Sequence, residues 1–471
     1  MKGDMLMYVV PREYFYRLHH VRPRFKNQVE NVLIFMATNV SDLGKMNKLD
    51  FKEKLNEMIR CYPGNNDKEL KTINNWRTEI SSLFGLFIEE GDFTEAGLRA
   101  KELTEEQDLV KFFKTFLFNF EYPGGHLKNQ EIVKQCREGI KFQPVKYILK
   151  LYKVASDYER KDIYLTVPEV THCIFNDLRC TRDNQDPLET WFRIKNNREQ
   201  NIEYDSRGDI TRYAGDILDY MDIANLIKAR GKKFYINHIE DETISVFINT
   251  DSSFLGYSEF IGNSSTIIDD IRNIRVSWFR YVNRDMKAID FTTNVSAYII
   301  EEDYAVQKGS ILKDLDEHLN TAKAVSTAVV GGSGEALIIS HEKQQLKNAG
   351  KDALTHLVNF IPTPLGVGFD IQSFERDNSE LRKYIEVKTT ISSRALSFNS
   401  FHITPNEWRT AKSVKDRYYI YRLQLSQKGS KLFILNDLYG KVKTGEVQLI
   451  KRSDGFDIRF YDRAGYEEML A

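Results

Sequence analysis

Apolar residues in the first part of the chain recur every three or four positions, a spacing that predicts helices. Residues 1–45 read as mostly helical, with Arg24 to Met36 at near-helical spacing and Ser41-Asp42-Leu43-Gly44 ending the block. Asp50 to Ile59 predicts an amphipathic helix with Asp50 as its N-cap. Pro63-Gly64-Asn65-Asn66 marks a turn. A further helix follows over 67–84, its stripe formed by Leu70, Ile73, Trp76, Ile80 and Phe84. Leu86 to Thr94 has the form of a short β-wing, and a helix resumes at Glu95-Ala96-Gly97-Leu98.

The same order then repeats. Helices are predicted over 105–120, 129–137 and 144–156, and another opens at Thr166-Val167-Pro168-Glu169, where Thr166 can cap and Pro168 sits in the first turn. A polar insertion from Arg179 to Asp205 leads to a segment from Gly208 to Met221, and Leu226 to Asn237 alternates as strand, turn and strand. Two units of helix, helix and wing are the plan of winged-helix modules, which place a recognition helix in the DNA major groove. The exposed side of the first recognition helix would offer Lys71, Asn74, Asn75, Arg77 and Thr78, residue types that pair with base edges. Arg212 on the later segment and Lys228, Arg230, Lys232 and Lys233 on the second wing are suited to phosphate contact. The same residues also fit solvated helix faces and a soluble hairpin tip.

Beyond a mixed region from Glu242 to Arg275, residues 296–330 predict a helical bridge, broken by Gly331-Gly332-Ser333-Gly334. That run lacks the G-K-[ST] ending of a phosphate loop, so it reads as a joint before a helix from Glu335 to Lys347. Gly368 to Ile371, a charged turn from Glu375 to Glu380 and Tyr384 to Thr390 then predict a hairpin. Alternation puts Ile385 and Val387 on one face, Glu386 and Lys388 on the other, with Asp370 approaching Glu386 from the neighbouring strand. Phe401-His402-Ile403 reads as a strand, Thr404 as the cap of a helix, Tyr418 to Leu423 as a buried strand, and 432–462 as strand-like segments without a role. His402 has no second histidine at metal-ligand spacing and reads as structural.

With 471 residues, two or three domains are expected. A 41% hydrophobic and 29% charged composition is that of a globular protein. Net charge is -1, which argues against a non-specific DNA-coating protein and leaves room for a local basic face. Four scattered cysteines (Cys61, Cys136, Cys173, Cys180) suggest neither zinc site nor disulfide framework. No apolar run is long enough for a bilayer and Met1-Lys2-Gly3-Asp4 lacks a signal-peptide layout, so a cytoplasmic protein without membrane contact is expected.

Two carboxylates from different strands, Asp370 and Glu386, can hold Mg2+, and Lys388 beside them can orient water or offset charge on phosphorus. Because E-x-K is a common spacing, a solvated surface hairpin explains the same residues. Asp370 with Glu386-Val387-Lys388 resembles the D…(D/E)-x-K signature of the PD-(D/E)XK nuclease superfamily. More specifically, about 334–425 resembles the nuclease-like domain named after the C terminus of the plant protein NO VEIN. The matching pieces are Gly334-Glu335-Ala336-Leu337, Gly366 to Phe374, Tyr384 to Thr390, Phe401 to Trp408 and Tyr418 to Leu423. In layout the chain resembles restriction endonucleases such as BpuJI and FokI, which join a recognition part to a nuclease part.

The resemblance implies an α/β multidomain chain: winged-helix-like DNA-binding domains over 1–155 and 156–295, a helical linker over 296–333, and a PD-(D/E)XK nuclease domain with a mixed sheet over 334–471. It implies a sequence-specific, Mg2+-dependent endonuclease of the type IIS kind, with Mn2+ as a substitute metal and double-stranded DNA as partner. Asp370 and Glu386 would bind metal, Lys388 would position the attacking water, and Glu335 would assist, with Glu342 as the other helical candidate. Cutting both strands would call for a homodimer at least during cleavage. A modification-dependent or phage-defence nuclease and a catalytically inert DNA-binding regulator are the alternatives.

Overall fold

The computed structural model describes residues 6–21, 29–62, 64–286, 289, 291, 328–361, 367–377, 379–394, 400–426, 429–452 and 454–470. Arg24 to Gln28 and the expected bridge as far as residue 327 lie outside the described residues. The chain divides into two compact units, one of residues 1–104 and 110–291, the other of 105–109 and 292–471.

The first unit is mainly helical. Val29–Leu43 is buried over most of its length, as its nearly all-round apolar sequence requires. Lys48–Arg60 is capped by Asn47, whose side chain accepts from the Leu49 N–H, so the cap lies three residues before the expected Asp50. Asp50 instead sits in the first turn, where its charge faces the positive end of the helix. The next helical run is Leu70–Asn75, a π turn Trp76–Ile80, and Ser81–Phe84. Arg77, four positions after Ile73 and three before Ile80, shares their inward face.

Strands β1 (Met46–Asn47), β2 (Phe87–Glu90) and β3 (Phe93–Ala96) form an antiparallel sheet in the order β1-β3-β2. Glu95 and Ala96 thus finish the wing, and the next helix is Leu98–Glu106. The expected 105–120 helix starts later, at Leu109–Asn119. A second three-stranded sheet, β4 (Tyr164–Leu165), β5 (Ile227–Arg230) and β6 (Lys233–Ile236), has the order β4-β6-β5. Thr166 and Glu169 close the expected capping box. The polar insertion is not a loop: Leu178–Thr181 and Pro187–Glu199 are helices capped by Asp177 and Asp186. Its inward residues include Trp191 and Ile194, too few to raise the mean hydropathy, and Trp191 Nε1 donates to Glu159 at 3.0 Å.

The second unit is built on a six-stranded mixed sheet, ordered β15-β12-β11-β9-β8-β7. Its strands are β7 (Asn359–Phe360), β8 (Ile371–Phe374), β9 (Arg382–Ser392), β11 (Tyr418–Ser426), β12 (Gly429–Asn436) and β15 (Tyr466–Glu468). β8 and β9 pair antiparallel with Ile371 opposite Ile385, while β11 runs parallel to β9 with Ile420 opposite Glu386. A smaller sheet of β10 (Ser400–Ile403), β13 (Val447–Lys451) and β14 (Phe456–Phe460) shares a core with it, including Phe401, Trp408, Ile420, Leu435 and Ile458.

The helix Ala328–Asn348 continues through Gly331-Gly332-Ser333-Gly334, which therefore do not form a joint. Each glycine disfavours helix by about 1 kcal/mol relative to alanine. At Gly334 packing compensates, because a β-carbon there would fall 1.9 Å from Thr389 Oγ1 on β9. Two turns on, Glu342 is fully buried, and its carboxylate accepts from Lys383 Nζ at 3.1 Å, Arg376 Nη2 at 3.0 Å and Tyr421 Oη at 2.7 Å. These bonds tie the helix to β9 and β11 and make Glu342 a structural anchor, not a metal-site candidate. Among the described residues no helix is long and apolar enough to cross a membrane.

Burial alone would raise the Glu342 carboxyl, but the Lys383 and Arg376 charges hold it down to about 2 from an ordinary 4.5. The unfolded chain binds this proton more tightly than the folded one. The resulting stabilisation, on the order of 3 kcal/mol, is complete above the unfolded value and lost as the pH falls towards the folded one. Glu342→Gln is expected to lower the unfolding free energy at neutral pH by about 3–5 kcal/mol. Urea denaturation should show the gap between variant and wild type closing as the pH is lowered to about 3.

Candidate functional site

The site forms where β8 meets β9. Asp370 precedes β8 directly; its backbone N–H donates to Ile385 O at 2.9 Å, and its Oδ2 accepts from the Val387 N–H at 2.8 Å. The register places Asp370 across from Glu386, and the two carboxyls influence one another electrostatically. Gly368, at φ 77°, makes the approach possible. A β-carbon there would lie 2.5 Å from Thr410 Oγ1 and 2.9 Å from Asn406 O. Tyr418, fully buried on β11, donates its hydroxyl to Gly368 O at 3.0 Å and fixes the turn from the other side.

Glu386 is only 4% exposed, which excludes a solvated surface hairpin. Both faces of β9 are covered, as befits an inner strand. Lys388 Nζ donates to Glu386 Oε1 at 2.7 Å and to Glu407 Oε2 at 3.1 Å. Glu335, on the helix, lies close enough to interact electrostatically with Asp370 and Lys388. The expected set of Asp370, Glu386, Lys388 and Glu335 therefore comes together in one place.

Its electrostatics are unbalanced. Burial raises the Glu386 carboxyl well above the usual range, and Asp370 and Glu407 add to the effect. Burial also raises Asp370, although Lys388 and the Val387 N–H oppose the shift. Glu335 is pushed up to about 8 by burial and by Asp370. For Lys388 burial favours the neutral amine, but Glu386, Glu407 and Asp370 outweigh it and raise its pKa, keeping the ammonium charged. Four carboxyl groups thus face one ammonium. Among the described residues no group of three or more His, Cys, Asp or Glu is arranged as a metal cage. The pair Asp370 and Glu386 fits an ion that takes two carboxylates and keeps its waters, as Mg2+ does.

Two residues at this site escape sequence reading in that role. Glu407 shows in the sequence only as the third residue after Thr404, a capping-box signature. Tyr418 shows only as part of a buried strand. His402, read from the sequence as structural, has its Nδ1 3.0 Å from Asp457 Oδ1.

The residues expected to contact DNA divide. Lys71, Asn75 and Thr78 are exposed. Arg77 is not available, being 8% exposed with its Nη1 donating to Asn56 Oδ1 at 2.6 Å and Asn74 Oδ1 at 2.8 Å. That bond also engages half-buried Asn74. Half-buried Arg212 lies 4.9 Å from the Tyr213 ring centre. On the β5–β6 hairpin Arg230, Lys232 and Lys233 are exposed and Lys228 is half-buried. Lys233 Nζ sits 4.1 Å from the Tyr164 ring centre, and the Arg230 guanidinium 5.3 Å from that of Tyr235.

The family described as restriction endonuclease BpuJI, N terminal, matches residues 8–279, more than half of the chain. The family described as protein NO VEIN, C-terminal, matches residues 334–435, the stretch that carries the site. No curated protein matches the chain. Among solved structures, the BpuJ1 endonuclease binding domain in complex with pyrene- and phenanthrene-modified DNA superposes with a TM-score of 0.50 at 23% identity. That likeness, one of fold, covers 58% of this chain and 99% of the other. Helical with small wings in its first unit and carrying a NO VEIN-like mixed sheet in its second, the chain belongs to the BpuJI N-terminal restriction endonuclease family.

Proposed function

We propose that the protein is a DNA endonuclease that depends on a divalent cation, Mg2+ or Mn2+. The first unit would select double-stranded DNA and the second would hydrolyse its phosphodiester bonds. The observation that carries the reading is the convergence of Asp370, Glu386 and Lys388, with Asp370 Oδ2 pinned 2.8 Å from the Val387 N–H. Asp370 and Glu386 would hold the ion. Bound there, it would polarise the scissile phosphate and lower the pKa of a coordinated water. Lys388 stays cationic and so serves to orient the attacking water and to offset charge growing on phosphorus, not to accept a proton. Glu335, with its carboxyl at about 8, retains a proton at neutral pH and limits the repulsion around Asp370 until an ion is present.

The BpuJ1 domain that shares the first unit's fold was solved with DNA. By extension the exposed Lys71 and Asn75, and Arg230, Lys232 and Lys233 of the second wing, are the groups offered to DNA, with Arg77 withdrawn from the set. One such site cuts one strand, so double-strand cleavage requires a second copy, and sequencing of fragment ends would give the recognition sequence and the cut distance.

Asp370→Asn, Glu386→Gln and Lys388→Ala are each expected to slow Mg2+-dependent cleavage by at least about 100-fold, the scale of losing one electrostatic contributor. DNA affinity should stay at the wild-type level in all three. Wild type that leaves DNA intact under both Mg2+ and Mn2+, or Asp370→Asn that cuts normally, sinks the proposal. Replacing Arg230, Lys232 and Lys233 by alanine should reduce the slope of log affinity against log salt by about 0.9 for each phosphate no longer neutralised. Fluorescence anisotropy across a salt series measures it.

A further inference from the structure

Glu407 is the third residue of the helix Pro405–Val414, and its evident task is to close a capping box with Thr404. The Thr404 N–H donates to Glu407 Oε2 at 3.1 Å, and the Glu407 N–H donates to Thr404 Oγ1 at 3.3 Å. The same Oε2 also accepts from Lys388 Nζ at 3.1 Å. One oxygen therefore joins a helix start to the lysine of a strand. A cap needs no such lysine, and nothing in the capping box requires the helix to begin beside β9.

Lysine has three N–H donors on a flexible stem. With Glu386 as its sole acceptor, the ammonium would be free to swing about one carboxylate, the one also needed for metal. The second acceptor comes from a different element. Two of the three donors are then fixed, at 2.7 Å to Glu386 and 3.1 Å to Glu407, and the third is left for a water or a phosphate oxygen.

Glu407 can hold this position because its own helix is tightly placed. Trp408, next to it, packs against Tyr439 and Phe456 at ring separations of 5.7 Å each. One turn on, Thr410 Oγ1 donates to Val367 O at 2.8 Å, so the helix also braces the turn that delivers Asp370. A single helix thus sets the two groups that come from different strands.

We infer that Glu407 is the positioning residue for Lys388, fixing the ammonium between two carboxylates so that one donor faces the reacting phosphate. The assignment rests on the nuclease reading. Glu407→Gln separates it from capping, because glutamine serves equally well in the third position of a capping box but carries no charge. This variant is expected to lower kcat for Mg2+-dependent DNA cleavage by about 10- to 100-fold, the range for a displaced reacting group. KM, the metal-free dissociation constant for DNA and the melting temperature should stay near wild type. Glu407→Ala should lose kcat and melting temperature together. In the Lys388→Ala background, Glu407→Gln should add little further loss, since both changes remove one interaction. Wild-type kcat in Glu407→Gln overturns the assignment, as does a loss that adds in full to that of Lys388→Ala. Absence of cleavage by the wild-type chain defeats the nuclease reading, and this assignment with it.

Discussion

The second unit is governed by the need to place charge on an inner strand. β9 carries lysines on both faces, Lys383 buried on one and Lys388 partly buried on the other. On the first face Lys383 and Arg376 meet Glu342 and Glu468, two cations against two anions. The carboxyl of Glu342 falls accordingly, and the cluster acts as a clamp. On the second face Lys388 alone meets Asp370, Glu386, Glu407 and the nearby Glu335, and the carboxyls of Asp370, Glu386 and Glu335 rise. Buried ions favour folding only when partnered well. One cluster meets that condition within the chain, and in the other the carboxyls are shifted towards their neutral forms instead. A balanced and an unbalanced cluster thus lie on the two faces of one strand.

Much of the site can be read from the residues because its information is local. Strand alternation around Glu386 and Lys388, a charged turn and an aspartate ahead of β8 determine which side chains can meet, and the pairing of Ile371 with Ile385 realises it. Glu342 is ambiguous for a physical reason. Seven residues along a helix return nearly to the same face, so periodicity ranks it with Glu335 and cannot see that Arg376 and Lys383 arrive to neutralise it. Glu407 is obscured by a sufficient explanation, since its capping role accounts for the residue without any long-range partner.

The fold of the first unit is legible in its punctuation and less so in its polar stretches. Thr166, Pro168 and Glu169 mark a helix start, and both wings appear where alternation places them. Arg77 misleads because its identity suggests solvent, whereas its spacing from Ile73 and Ile80 points inward. The helix Pro187–Glu199 is hidden by composition, although Asp186-Pro187 is a cap followed by a proline at the first helical position. In the second unit, the helix runs through the glycines before Glu335, and at Gly334 the close contact with Thr389 fills the place a side chain would take.

That contact at Gly334 has a wider consequence. The hydrogen atom in place of a side chain there acts as a spacer of minimal thickness between helix and sheet, and Glu335 is its immediate neighbour in the chain. A methyl group at this point would lift the helix or twist Thr389 aside, and the carboxyl that looks towards Asp370 would move with it. The reach of an acidic group towards its neighbours is in this way governed by the size of the residue next to it, a dimension that no comparison of charged residues alone would reveal.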